Sequence, residues 1–176
     1  MKFKRQLTAL AFAMAAGSSF AQLVVGVSYD AFQEERWKTD EAAIKAELAK
    51  SGAKYIMSDA GASTEKQLTD IDGLIAKGAK VLIILGRDKD AILPAVNKAN
   101  QLKIPVIAYD RLFEAPGVTY ITFDNKEVGR MTARAILAVK PKGSFAIIKG
   151  DPGDANANFL REGQGEVLAA SIKSGD

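Results

Sequence analysis

Three short runs of this 176-residue chain hold the side chains best suited to gripping a polar ligand: Glu35-Arg36-Trp37, Tyr109-Asp110-Arg111, and the stretch from Asp154 through Asn156 to Arg161. Arginine presents a rigid fork of donors and aspartate accepts on both oxygens, so an adjacent Asp-Arg pair suits neighbouring hydroxyls or a planar acceptor. Arg36 beside Trp37, the only tryptophan, suits a ligand with hydroxyls at its edge and C–H groups on its face. Other chemistries fall away on composition. The chain has no histidine and no cysteine, which removes Ser-His and Cys-His catalytic pairs, thiolate metal sites and disulfides. It contains no Gly-x-Ser-x-Gly elbow, phosphate loop or dinucleotide fingerprint. Nothing in it asks for a metal or cofactor, and the enzyme class left open is a glycosidase using carboxylates alone.

For these runs to meet, the elements that carry them must open at one end of one sheet. From Gln22 onward, apolar stretches of strand length alternate with segments of helical period. Strands are expected at Leu23 to Tyr29, Lys54 to Ser58, Val81 to Leu85, Pro105 to Ala108, Tyr120 to Phe123 and Ser144 to Lys149. Leu68, Ile71, Leu74 and Ile75 make one helical stripe, and Ile44 with Leu48 and Val128 with Ala135 mark two others. Ser51-Gly52 and Lys77-Gly78 read as helix ends, where glycine takes the left-handed cap. This alternation predicts an α/β fold built on a doubly wound parallel sheet with helices on both faces.

Such a sheet binds ligands in the crevice outside its strand C-termini, and the residues expected there are polar: Asp30, Asp59, Gly86-Arg87-Asp88, Asp110-Arg111, Asp124-Asn125 and Gly150-Asp151. An aspartate after a strand is also an ordinary N-cap for the next helix, and Asp88, Asp124 and Asp151 are assigned to that role. Asp110-Arg111 differs, because an arginine directly after a strand caps nothing. For Asn156 and Arg161 two roles stay open, facing the crevice or serving as helix cap and solvated charge. Trp37 likewise either borders the crevice or packs in the core.

The first 21 residues read as a secretory signal peptide: a basic head at Lys2, Lys4 and Arg5, an apolar run from Leu7 to Ala16, and small residues at Ser19 and Ala21 before a cut near Gln22. That run is too short to span a membrane. The basic head accounts for the whole net charge of +3, so the rest of the chain is close to neutral and nucleic acid is not an expected partner.

Glu35-Arg36-Trp37, Ala108-Tyr109-Asp110-Arg111, Tyr120 to Asn125 followed by Val128-Gly129, and Asn156-Ala157 leading to Arg161 and Gly163-Gln164 resemble, in order and spacing, the type I periplasmic sugar-binding proteins of ABC importers, their D-xylose binders above all. The resemblance implies a two-lobed, non-enzymatic protein of the periplasmic binding protein type I fold. It would be exported to the periplasm, monomeric and free of cofactors, and would hand a monosaccharide such as D-xylose to an ABC permease in the inner membrane. By the same resemblance Arg36, Trp37, Asp110 and Arg111 contact the sugar from a first lobe, residues 22–123, and Asn156 and Arg161 from a second, residues 124–176. The first lobe is expected nearly complete and the second truncated, as in the N-terminal part of a binding protein, so that pentose binding by this chain alone is weak or absent. Arg87 departs from the family's pattern and bears on which sugar fits. The alternative reading is an extracytoplasmic sugar-sensing domain of a signalling or chemotaxis system. A LacI-type regulator is not expected, because such proteins begin with a DNA-binding module where this chain has an export signal.

Overall fold

Runs of β-branched and apolar residues form the strands, and each is followed by a helix whose apolar stripe packs back onto the sheet. In a computed structural model, which describes residues 22–175, the order is β1 (Val24–Tyr29), α1 (Glu35–Lys50), β2 (Lys54–Asp59), α2 (Thr64–Ala76), β3 (Val81–Ile84), α3 (Leu93–Gln101), β4 (Val106–Tyr109), β5 (Thr119–Ile121), α4 (Asn125–Val139) and α5 (Ala155–Ser174). The signal peptide expected at residues 1–21 lies outside the described residues. Glycines close α1 and α2 as expected, Gly52 at φ 69° and Gly78 at φ 91°.

The five strands pair in the order β2-β1-β3-β4-β5, every pair parallel. The chain passes from β1 to β2 on one side and then returns to place β3 on the other, so the winding reverses between β1 and β3. Side chains alternate across the sheet with period two. Leu82 and Ile84 of β3 enter a core with Ile71 and Leu74 of α2 and Val96 of α3. Val81 and Ile83 turn the other way, toward Val25, Val27, Tyr29 and the α1 residues Trp37, Ile44 and Leu48. One helix on one face and two on the other make the sheet doubly wound. Gly26 is required by this packing, because a Cβ there would sit 3.1–3.3 Å from Leu82, Ala79 and Leu74 side chains.

The strand expected at Ser144 to Lys149 does not form. These residues have no regular structure, all six are exposed, and Ile148 is 97% accessible. Sequence supplies a β-prone run, but a strand exists only where a neighbour takes up its backbone hydrogen bonds, and no strand lies beside this segment among the described residues.

Helices α4 and α5 instead pack on each other, running in the same direction. Lys126 pairs with Glu162 at 2.7 Å and Arg130 with Glu166 at 3.0 Å. Their backbones approach so closely that a Cβ on Gly129 would lie 2.2 Å from the Leu160 carbonyl oxygen, and one on Gly163 2.0 Å from that of Lys126. Both helices therefore start at the same end, beside the C-terminal edge of the sheet.

Candidate functional site

The C-terminal ends of β1, β3 and β4 deliver Asp30, Arg87 and Asp110-Arg111 to one mouth, where the winding reverses. The first turn of α1 adds Arg36 from one side, and the N-terminus of α5 adds Asp154 and Asn156 from the other. Local chemistry fixes each of these ends. Asp154 caps α5 by accepting from the Asn156 backbone N–H at 2.9 Å, and Asp124 caps α4 by accepting from that of Glu127 at 2.9 Å. At the end of β3, the fully buried Gln67 of α2 donates to the Leu85 carbonyl at 2.8 Å and accepts from the Arg87 backbone N–H at 2.9 Å, so it sets the direction in which Arg87 leaves the strand.

Arg36, Asp110 and Arg111 converge. The Arg36 guanidinium donates to Asp110 Oδ1 at 2.8 Å and lies 3.5 Å from Asp40. Arg111 donates to Asp30 Oδ2 at 2.6 Å and lies 3.3 Å from Asp154. Arg87 spans Asp30 at 3.6 Å and Asp151 at 3.5 Å. Guanidinium and carboxylate groups thus alternate around the mouth, which keeps the buried Asp30 and Asp110 charges paired. Asp154 shows the strain of this crowding. Burial pushes its carboxyl above the ordinary range, against the opposing pull of the Asn156 N–H and of Arg111. Behind the mouth, Tyr109 donates to Asp40 at 2.8 Å, and burial followed by that bond pushes its phenol up to about 12.

Asp110 itself is left-handed, at φ 64°, which a non-glycine residue adopts only when its surroundings hold it there. Its carbonyl accepts from Asn156 Nδ2 at 3.1 Å and from the Tyr120 hydroxyl at 3.2 Å. Asn156 is buried and receives Asn125 Nδ2 on its Oδ1 at 3.0 Å. A cleft of about 310 Å³ opens beyond Asn156, and Asp154, Arg161, Gln164 and Thr132 line it. Arg161 is exposed, and its side chain makes no ion pair or hydrogen bond among the described residues. It joins the cluster only across this cleft.

Trp37 lies elsewhere. It is buried in the core under α1, its ring 6.5 Å from that of Tyr29, with the Arg36 guanidinium 4.4 Å above it. The ring exposed at the mouth is Phe123, 5.5 Å from the same guanidinium. Two aspartates assigned to capping also differ. Asp88 closes a turn through the Asp90 and Ala91 N–H groups ahead of α3. Asp151 holds the Gly153 N–H and faces Arg87, leaving the cap of α5 to Asp154. Sequence reasoning placed Asp30 and Asn125 at the crevice without giving either a role, met Tyr120 only as part of the resemblance, and did not note Gln67. Gln67 carried a signal, since it falls four residues before Ile71 on the apolar stripe of α2, where an amide is buried.

The comparisons bear on the fold and the family. A periplasmic binding protein domain matches residues 25–176. The D-xylose-binding periplasmic protein of Haemophilus influenzae is 35% identical over 99% of this chain and 54% of its own length, and that of Escherichia coli 32% identical over 88% and 47%. An ABC transporter solute-binding protein of Clostridium phytofermentans, solved with bound β-D-glucose, superposes with a TM-score of 0.80 at 32% identity, covering 86% of this chain and 49% of that one. The chain spans about half the length of these relatives, which are sugar-binding transport proteins rather than enzymes. A match running from the first strand to the last helix establishes that the chain belongs to the periplasmic binding protein domain family.

Proposed function

We propose that this chain carries the first sugar-binding lobe, residues 22–123, and the start of a second, residues 124–176, of a periplasmic protein that captures a monosaccharide for an ABC importer. The observation that carries the reading is the convergence of Arg36, Asp110 and Arg111 at the C-terminal mouth of the parallel sheet. In this reading Asp110 and the two arginines grip ring hydroxyls, Asn156 and Arg161 meet the sugar from the other side of the mouth, and Trp37 acts from behind by supporting the Arg36 guanidinium. Charge-assisted hydrogen bonds of this kind are about twice as strong as neutral ones. They also reject an analogue lacking a hydroxyl, which would leave a buried partner unsatisfied. D-xylose is the proposed sugar, because a D-xylose binder aligns with 99% of this chain. Residues 1–21 direct export to the periplasm, and the partner is the importer's permease in the inner membrane. The output is binding rather than turnover, with the protein acting as a monomer that needs no cofactor.

A titration of the isotopically labelled chain, followed by the backbone amides of Asp110 and Arg111, tests this. D-xylose is expected to shift them saturably with a Kd of about 1 mM or weaker, because one side of the mouth contributes most of the contacts. D-ribose should bind less tightly, and Asp110→Ala should weaken D-xylose at least about tenfold. Shifts that ignore Asp110→Ala, or no response to any monosaccharide, would overturn the reading.

A further inference from the structure

We propose that Asn125, which contacts none of the groups assigned to the sugar except Asn156, is a positioning residue that fixes which way round the Asn156 amide faces the mouth. The inference rests on the sugar-binding reading for its functional consequence and on geometry alone for its structural part.

An asparagine amide has nearly the same shape in its two orientations, so only its partners decide between them. Asn156 Oδ1 receives Asn125 Nδ2 at 3.0 Å and lies 3.5 Å from the Tyr120 hydroxyl. Its Nδ2 is thereby turned onto the Asp110 carbonyl at 3.1 Å. The reversed amide would set two nitrogens against each other at Asn125 and two oxygens at Asp110, two repulsive contacts in place of two hydrogen bonds. Both asparagines are more than nine-tenths buried, where such mismatches are least tolerated. The other contacts of Asn125 Nδ2, to Thr122 and the Phe123 carbonyl, are long at 3.4 and 3.5 Å. Capping does not require an amide here, since Asp124 already supplies the cap of α4.

The consequence lies in the second hydrogen on Asn156 Nδ2. One is committed to the Asp110 carbonyl, which supports the left-handed turn, and the other remains to meet an acceptor such as a ring hydroxyl. Asn125 acts through Asn156, at the point where β5 gives way to α4.

The test reads the side-chain amides of the labelled chain. In the wild type, the Nδ2 protons of Asn125 and Asn156 should exchange with water at least tenfold more slowly than those of the exposed Asn97. Asn125→Asp keeps the shape but replaces the donor with an acceptor. It should speed Asn156 exchange about tenfold and raise the D-xylose concentration at half-saturation by about the same factor. Asp124→Ala removes the neighbouring cap and should lower the melting temperature without changing Asn156 exchange. Equal exchange at Asn97 and Asn156 in the wild type overturns the inference without any variant. So does an Asn156 signal that ignores Asn125→Asp, or one that responds while D-xylose binding stays unchanged. If the amide responds as expected but the wild-type chain binds no monosaccharide, the positioning geometry stands and the sugar-binding reading falls.

Discussion

Asp110 shows at the level of one residue how the mouth is held. A left-handed aspartate costs on the order of 1 kcal/mol or more, and here two hydrogen bonds to its carbonyl and an ion pair to its side chain oppose that cost. The same turn points the carboxylate at Arg36 and the carbonyl at Asn156, so backbone strain and site geometry are one feature. Asp154 yields a pH test. Its carboxyl binds a proton more tightly in the folded chain than at the ordinary value of 3.8, so its contribution to stability is full below that value and is lost as pH rises through the raised one. Asp154→Asn, which retains a capping oxygen, should therefore gain stability relative to the wild type between pH 3 and 7, as followed by thermal melts. A constant difference across that range would contradict the burial effect. Asp110-Arg111 was legible in the sequence because an arginine after a strand has no bland explanation. Asp30 and Asp154 were visible as candidates but not separable from ordinary caps, and only tertiary structure shows that both face Arg111.

At the level of elements, five strands fall within two residues of their expected ends, because short apolar, β-branched runs bounded by turn residues are visible in the sequence itself. The run at Ser144 to Lys149 fails for a reason its composition cannot show, since a strand depends on what lies next to it. Helix α3 was not anticipated: Pro94 in its first turn suits a helix start, but its stripe is only Ala95, Val96 and Ala99. The crossing of α4 and α5 was equally hidden, because a helical glycine looks alike whether or not a backbone passes beside it. Gly163 and Gly165 separate the cases. Gly163→Ala places a Cβ 2.0 Å from the Lys126 carbonyl oxygen and should cost about 1–3 kcal/mol in urea unfolding. Gly165→Ala meets only the movable end of Arg161, at 3.0 Å, and should be neutral or stabilising by up to about 1 kcal/mol. Equal effects at the two positions would mean that the helices do not touch at Gly163.

For the whole molecule, the balance of charge and exposed apolar surface sets how it behaves in solution. Phe145, Ile147 and Ile148 are all exposed in the segment that has no sheet partner among the described residues, and a β-prone run without proline is a template for pairing between chains. Ile148→Lys should lower self-association, read as light scattering at increasing protein concentration, while changing stability by less than about 0.5 kcal/mol. Unchanged scattering would place the sticky surface elsewhere. The backbone contact between α4 and α5 has a larger reach. Two rods joined at their flanks, both rooted beside Asn125 and Asn156, would have to tilt together, as one oar with its root at the mouth. α5 alone is about 30 Å long, and a tilt of about 10° at its root would sweep the blade through about 5 Å. A small adjustment at that root would thus be felt most strongly at the far end of the two helices.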